Sequence, residues 1–73
     1  MSTKLLADIG EALYGERWQS DLASALGVNR RTIARWVSGK FDPPDAVWDD
    51  LRVLLDARGR AIGALVHRLK RAA

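Results

Sequence analysis

QSDLASALGVNRRTIARWVSG, residues 19–39, spells out two short amphipathic helices joined by a tight turn. Leu22, Ala23 and Leu26 fall on one face of the first, and Ile33, Trp36 and Val37 recur at three-to-four-residue intervals on the second. Between them stands Gly27, where a helix that ends in the left-handed region favours a residue without a Cβ. Val28 plugs the corner. Asn29 suits the N-cap of the second helix, its side-chain oxygen accepting from the N–H of Arg31 or Thr32, and Gly39 suits the position just past its end. The spacing predicts that second helix over about residues 30–38. Ala23, one turn before the glycine, is small enough to let two helices cross closely.

Together these positions resemble the helix-turn-helix of the phage repressor and Cro class, the lambda-repressor-like or XRE-like family of DNA-binding proteins. Gln19 matches the glutamine that often opens the first motif helix. Leu22-Ala23, Gly27-Val28, Ile33 and Trp36 match its buried positions, and Ser38-Gly39-Lys40 resembles its usual ending. One departure is Trp18, where the family more often has a serine or threonine cap. The resemblance implies an all-α domain of four to five helices that binds double-stranded DNA sequence-specifically and regulates transcription, in a bacterium or its phage.

The charges have a direction. Arg30, Arg31, Arg35 and Lys40 are four cations in a stretch without an acid, whereas Asp42, Asp45, Asp49 and Asp50 follow at once. The chain's net charge is only +3, so a uniform cationic coat is excluded. With Ile33, Trp36 and Val37 turned inward, Arg30, Arg31, Ala34, Arg35 and Ser38 are left to the outside and flanks. An arginine fork can donate two hydrogen bonds to guanine O6 and N7, and alanine can touch a thymine methyl. By position in the resemblance, Arg30, Arg31, Ala34 and Arg35 are the expected base readers. Gln19, Asn29, Thr32, Ser38 and Lys40, at the ends of the two motif helices, are the expected phosphate contacts.

The rest of the chain supplies support. Seventy-three residues make one domain, without room for a ligand-sensing one, so no small-molecule effector is expected. Ser2 or Thr3 suits the cap of a helix over residues 4–14, with Leu5, Leu6, Ile9, Ala12 and Leu13 on its inner side and Gly15 after it. Phe41 is expected to fold back onto the core. Asp42 or Pro43 suits the next cap, with prolines in the first turn of the helix that follows.

From about residue 44, Trp48, Leu51, Leu55, Ile62, Leu65 and Leu69 recur at heptad intervals interrupted at Arg58. This implies one long or kinked helix to about residue 70, where the resembled family usually has two short ones. Gly59 and Gly63 weigh against continuity, and Gly59 is an alternative end. So long a stripe needs cover. A second copy is the simplest, making Leu55, Ile62, Leu65 and Leu69 the expected dimerisation residues, with Ala57, Gly59, Ala61, Gly63 and Ala64 permitting close approach. Packing back on its own domain is the alternative. A dimer would demand an inverted-repeat operator, its half-sites one or a few helical turns apart.

Other classes fare worse. Cysteine is absent and His67 is the lone histidine, so no nucleophile set, metal cluster or phosphate loop assembles; no catalysis, metal or cofactor is expected. Asp49 and Asp50 adjoin on a helix and point apart. An interaction module or antitoxin that keeps a helix-turn-helix is the rival reading, because fold alone does not specify function. RNA ranks below it, since the tryptophans fall at core positions. The basic run from Arg68 to Arg71 either attracts phosphate or complements a helix C-terminus. With no secretion signal and no long apolar run, the expected location is the cytoplasm, on the nucleoid and not at a membrane.

Overall fold

The computed structural model describes residues 3–72. They form α1 (Thr3–Tyr14), α2 (Trp18–Leu26), α3 (Arg30–Val37) and α4 (Asp45–Ala72), with no strand among them. The molecule is therefore all-α, with four helices and a long final one.

α1 is the hub: α2, α3 and α4 each pack against it, and α2 and α3 pack against each other. Leu6 and Leu13 of α1, Leu22 and Ala23 of α2, Ile33 and Trp36 of α3 and Leu51 of α4 share one core. Leu22, Ala23, Leu26, Val28, Ile33, Trp36 and Val37 are buried or half-buried as expected, whereas Gly27, matched to a buried position of the motif, is exposed at the turn.

The inner face of α1 differs from expectation. Leu5 is 44% exposed and Ala12 is exposed, while Gly10 takes the buried place between Leu6 and Leu13. Trp18 is the reason. Its indole is 4% exposed, and a Cβ on Gly10 would land on ring atoms Cδ2 and Cε3. Tryptophan thus stands at the first position of α2 because it fills a notch in α1. Thr3 lies within α1 and does not precede it; Ser2 falls outside the described residues.

Two further expectations are corrected after α3. Phe41 is 53% exposed and does not join the core. Its amide and that of Lys40 fold back on the Arg35 carbonyl, at 3.4 and 3.2 Å, which holds residue 41 beside α3. Pro43 and Pro44 precede α4 instead of occupying its first turn, and Val47 N–H donates to the Pro44 carbonyl at 2.9 Å. Neither Asp42 nor Pro43 is the residue next to the helix; Asp45, its first residue, sets a carboxylate at the positive end of the helix dipole.

α4 runs unbroken through Gly59 and Gly63 for 28 residues, about 42 Å at 1.5 Å per residue. This stretches the molecule to 48 × 22 × 21 Å. Leu51 is buried and Leu54 and Leu55 half-buried against the body, but every described residue from Asp56 onward is exposed. The near half of the apolar stripe does pack on its own domain; the far half does not.

Candidate nucleic-acid interface

α2 and α3 each end in a backbone closure around a left-handed glycine. α2 closes on Gly27 at φ 72°, with Gly27 N–H donating to Ser24 O at 3.2 Å and Val28 N–H to Ala23 O at 3.0 Å. α3 closes the same way on Gly39 at φ 81°, with Gly39 N–H to Trp36 O at 3.2 Å and Lys40 N–H to Arg35 O at 3.2 Å. In each closure two otherwise unpaired carbonyls are satisfied around a left-handed glycine. A three-residue turn results.

Asn29 caps α3. Its Oδ1 accepts from Thr32 N–H at 2.8 Å and from Thr32 Oγ1 at 3.0 Å, an arrangement that stabilises a helix start by about 1 kcal/mol. At the other end Ser38 Oγ donates to Arg35 O at 2.9 Å and accepts from Lys40 N–H at 3.3 Å. The hydroxyls of Thr32 and Ser38 are thereby committed inside the motif, whereas the Asn29 amide nitrogen and the Lys40 ammonium keep their hydrogens out of these bonds.

With Ile33 fully buried, a step of about 100° per residue divides the rest of α3. Ala34, Arg31, Ser38 and Arg35 cluster on the side opposite Ile33, and all four are exposed. Arg30 sits round the flank, where it shares an open polar cleft of about 450 Å³ with Glu16, Arg17, Gln19 and Ser20. The expected reading set thus separates into an outer face and a cleft. Gln19 and Arg30 are brought together; Lys40 lies at the far end of α3.

Electrostatically this surface is uncompensated. Ion pairs among the described residues are Lys4–Asp8 at 3.2 Å and Arg52–Asp49 at 4.0 Å, both exposed and neither involving α3. The Arg35 guanidinium does have a neighbour: its carbon lies 5.9 Å from the centre of the Phe41 ring. At the cleft, the N-cap of α2 is Arg17, whose side chain makes no capping bond. The cap position of α2 thus falls on Arg17, one residue before Trp18, and its side chain supplies no acceptor to the first-turn amides.

Sequence reasoning missed the Trp18–Gly10 notch, the Arg35–Phe41 contact and the part of Glu16 and Arg17 in the cleft. A glycine in the middle of an amphipathic helix was the available signal for the first. No three His, Cys, Asp or Glu side chains among the described residues are grouped so as to hold a metal ion, and no helix is long and apolar enough to cross a membrane. No family model, curated protein or solved structure matches the chain.

Proposed function

We propose that this protein is a sequence-specific double-stranded DNA-binding regulator of the phage repressor and Cro type, acting as a homodimeric repressor on an inverted repeat. One observation carries the reading: Arg31, Ala34 and Arg35 share the outer side of a short helix whose inner side is locked in the core, with no carboxylate paired to either arginine.

α3 has 8 residues, and a helix about 10–12 Å across with its side chains suits a major groove about 12 Å wide. Arg31 and Arg35 read guanine edges there and Ala34 meets a thymine methyl. Arg30, Gln19 and the uncapped amides of α2 anchor a phosphate in the cleft, and Asn29 and Lys40 anchor others at the two ends of α3. Lys40 supplies charge without base information. Glu16 limits the cleft's attraction for phosphate. In this reading regulation follows the protein's own abundance, as in autorepression, and the place of action is where the DNA lies.

Repeated selection from a randomised duplex pool at about 0.15 M salt tests this, because non-specific cationic binding weakens steeply there. The expected result is enrichment of one inverted repeat with guanine in each half. A pool that stays random contradicts the reading and favours a protein-interaction module.

A further inference from the structure

We propose that the projecting half of α4 pairs with the same segment of a second copy in antiparallel orientation. This rests on the homodimer of the reading above and adds its direction and contacts.

Stepping about 100° per residue from Leu51, the side chains of Leu55, Arg58, Ile62, Leu65 and Leu69 stay on one side of α4. The lower part of that side is occupied by the protein's own body. Leu51 is buried, Leu55 is half-buried, and the Arg58 guanidinium lies 5.6 Å from the centre of the Tyr14 ring at the end of α1. Above that contact the same side is bare: Ile62 is 52% exposed, Leu65 59%, Val66 45% and Leu69 71%. Alternating steps of three and four residues make a seam that accepts knobs from a helix of the same repeat. Another copy of α4 carries that repeat.

The body decides the direction. In a parallel pair, the near halves of both α4 helices would face each other across the side where each already carries α1. The molecule is 22 and 21 Å across its short axes, and a helix takes up about 10 Å of that. Two bodies therefore need more than 20 Å between helices that meet at 8–10 Å near Leu65 and diverge at about 20°. They do not fit. In an antiparallel pair, only the last turn of each helix passes the level of the other copy's Arg58–Tyr14 contact, and the near halves leave in opposite directions.

Charge agrees. Asp45, Asp49, Asp50 and Asp56 lie in the near half of α4 with Arg52 and Arg58, and Arg60, Arg68, Lys70 and Arg71 lie in the far half, with no acid after Asp56. Parallel pairing stacks the cationic ends in register and sets Arg58 on its own copy. Antiparallel pairing puts Arg58 opposite Leu69 and sends the two cationic ends in opposite directions. The small residues do not line this seam: Ala57, Gly63 and Ala64 fall on the opposite side of α4. Centred between Ile62 and Leu65, the pair sets the two Leu51 positions, where each α4 enters its own core, about 38 Å apart along the helix axis.

The chain has no cysteine, so single-cysteine variants report the direction. Arg58→Cys and Leu69→Cys, each in the full chain without DNA, are oxidised separately and mixed. The mixed disulfide is expected to exceed both self-disulfides several-fold. Predominant 58–58 and 69–69 disulfides overturn the direction while leaving the homodimer standing; a monomer of the unsubstituted chain at tens of micromolar in sedimentation overturns both. Asp49→Cys, on the side away from the seam, keeps the result readable if the seam variants weaken pairing. Spin labels there are expected more than about 40 Å apart, and a separation under about 35 Å, as parallel helices with outward labels would give, overturns the proposal. Selection from the duplex pool judges DNA binding independently.

Discussion

Arg35 leans on the Phe41 ring at 5.9 Å, and the same residue's carbonyl receives the amides of Lys40 and Phe41. An exposed contact of this kind is worth about 0.5–1 kcal/mol, enough to restrain a long side chain in advance of the proposed base contact. Phe41→Ala is accordingly expected to weaken duplex binding about two- to fivefold while leaving the preferred sequence unchanged. Stability should stay within about 0.5 kcal/mol, because the ring is exposed. Anisotropy titrations with a thermal melt check both, and a large fall in melting temperature would return Phe41 to the core. The outer face of α3 was legible from periodicity, since Ile33, Trp36 and Val37 leave Arg31, Ala34 and Arg35 one direction to point. Phe41 was not, because its place depends on how residues 38–41 fold back, and composition says nothing of that.

The helices contain three glycines that propensity alone treats alike. Gly10, Gly59 and Gly63 each disfavour a helix by about 1 kcal/mol relative to alanine, yet their surroundings are opposite. A Cβ on Gly10 would collide with Trp18, whereas at Gly59 and Gly63 it would meet nothing. Gly10→Ala is expected to destabilise the protein by about 1–3 kcal/mol or more through overpacking. Gly59→Ala and Gly63→Ala should each stabilise α4 by about 0.5–1 kcal/mol. Denaturant unfolding of the three variants decides; a stabilising Gly10→Ala would mean that Trp18 does not dock on α1. The turn glycines Gly27 and Gly39 could be read from sequence because turn chemistry is local. The notch at Gly10 belongs to two helices at once, and Trp18 reads as a misplaced cap until its partner is known.

At the level of the whole molecule, a body of three short helices and half of α4 holds a single small core, close to the lower size at which such cores suffice. The far half of α4 adds exposed apolar surface and no intramolecular burial. The proposed pairing there would make stability rise with protein concentration. Because Leu65 and Leu69 are 59% and 71% exposed in one chain, the double variant Leu65→Asp with Leu69→Asp should keep the helical fold and lose the dimer. Affinity for an inverted repeat should then fall toward that for a half-site, read by sedimentation and titration. A double variant that still sediments as a dimer would place the interface elsewhere. The heptad was visible in the sequence, but not that its near part is consumed at home and its far part left over, since that division is set by where α1 ends.

The central claim is that Arg31 and Arg35 read bases, and a base-by-base affinity profile tests it most directly. The selected duplex and each of its single-base variants are titrated with the unsubstituted chain, Arg31→Ala, Arg35→Ala and Lys40→Ala. Each arginine variant is predicted to lose about 1–3 kcal/mol of discrimination at one guanine and to keep it elsewhere, while Lys40→Ala weakens all duplexes alike and lowers the salt slope by about 1. Arginine variants that weaken every duplex equally, with no base preference erased, would contradict the account.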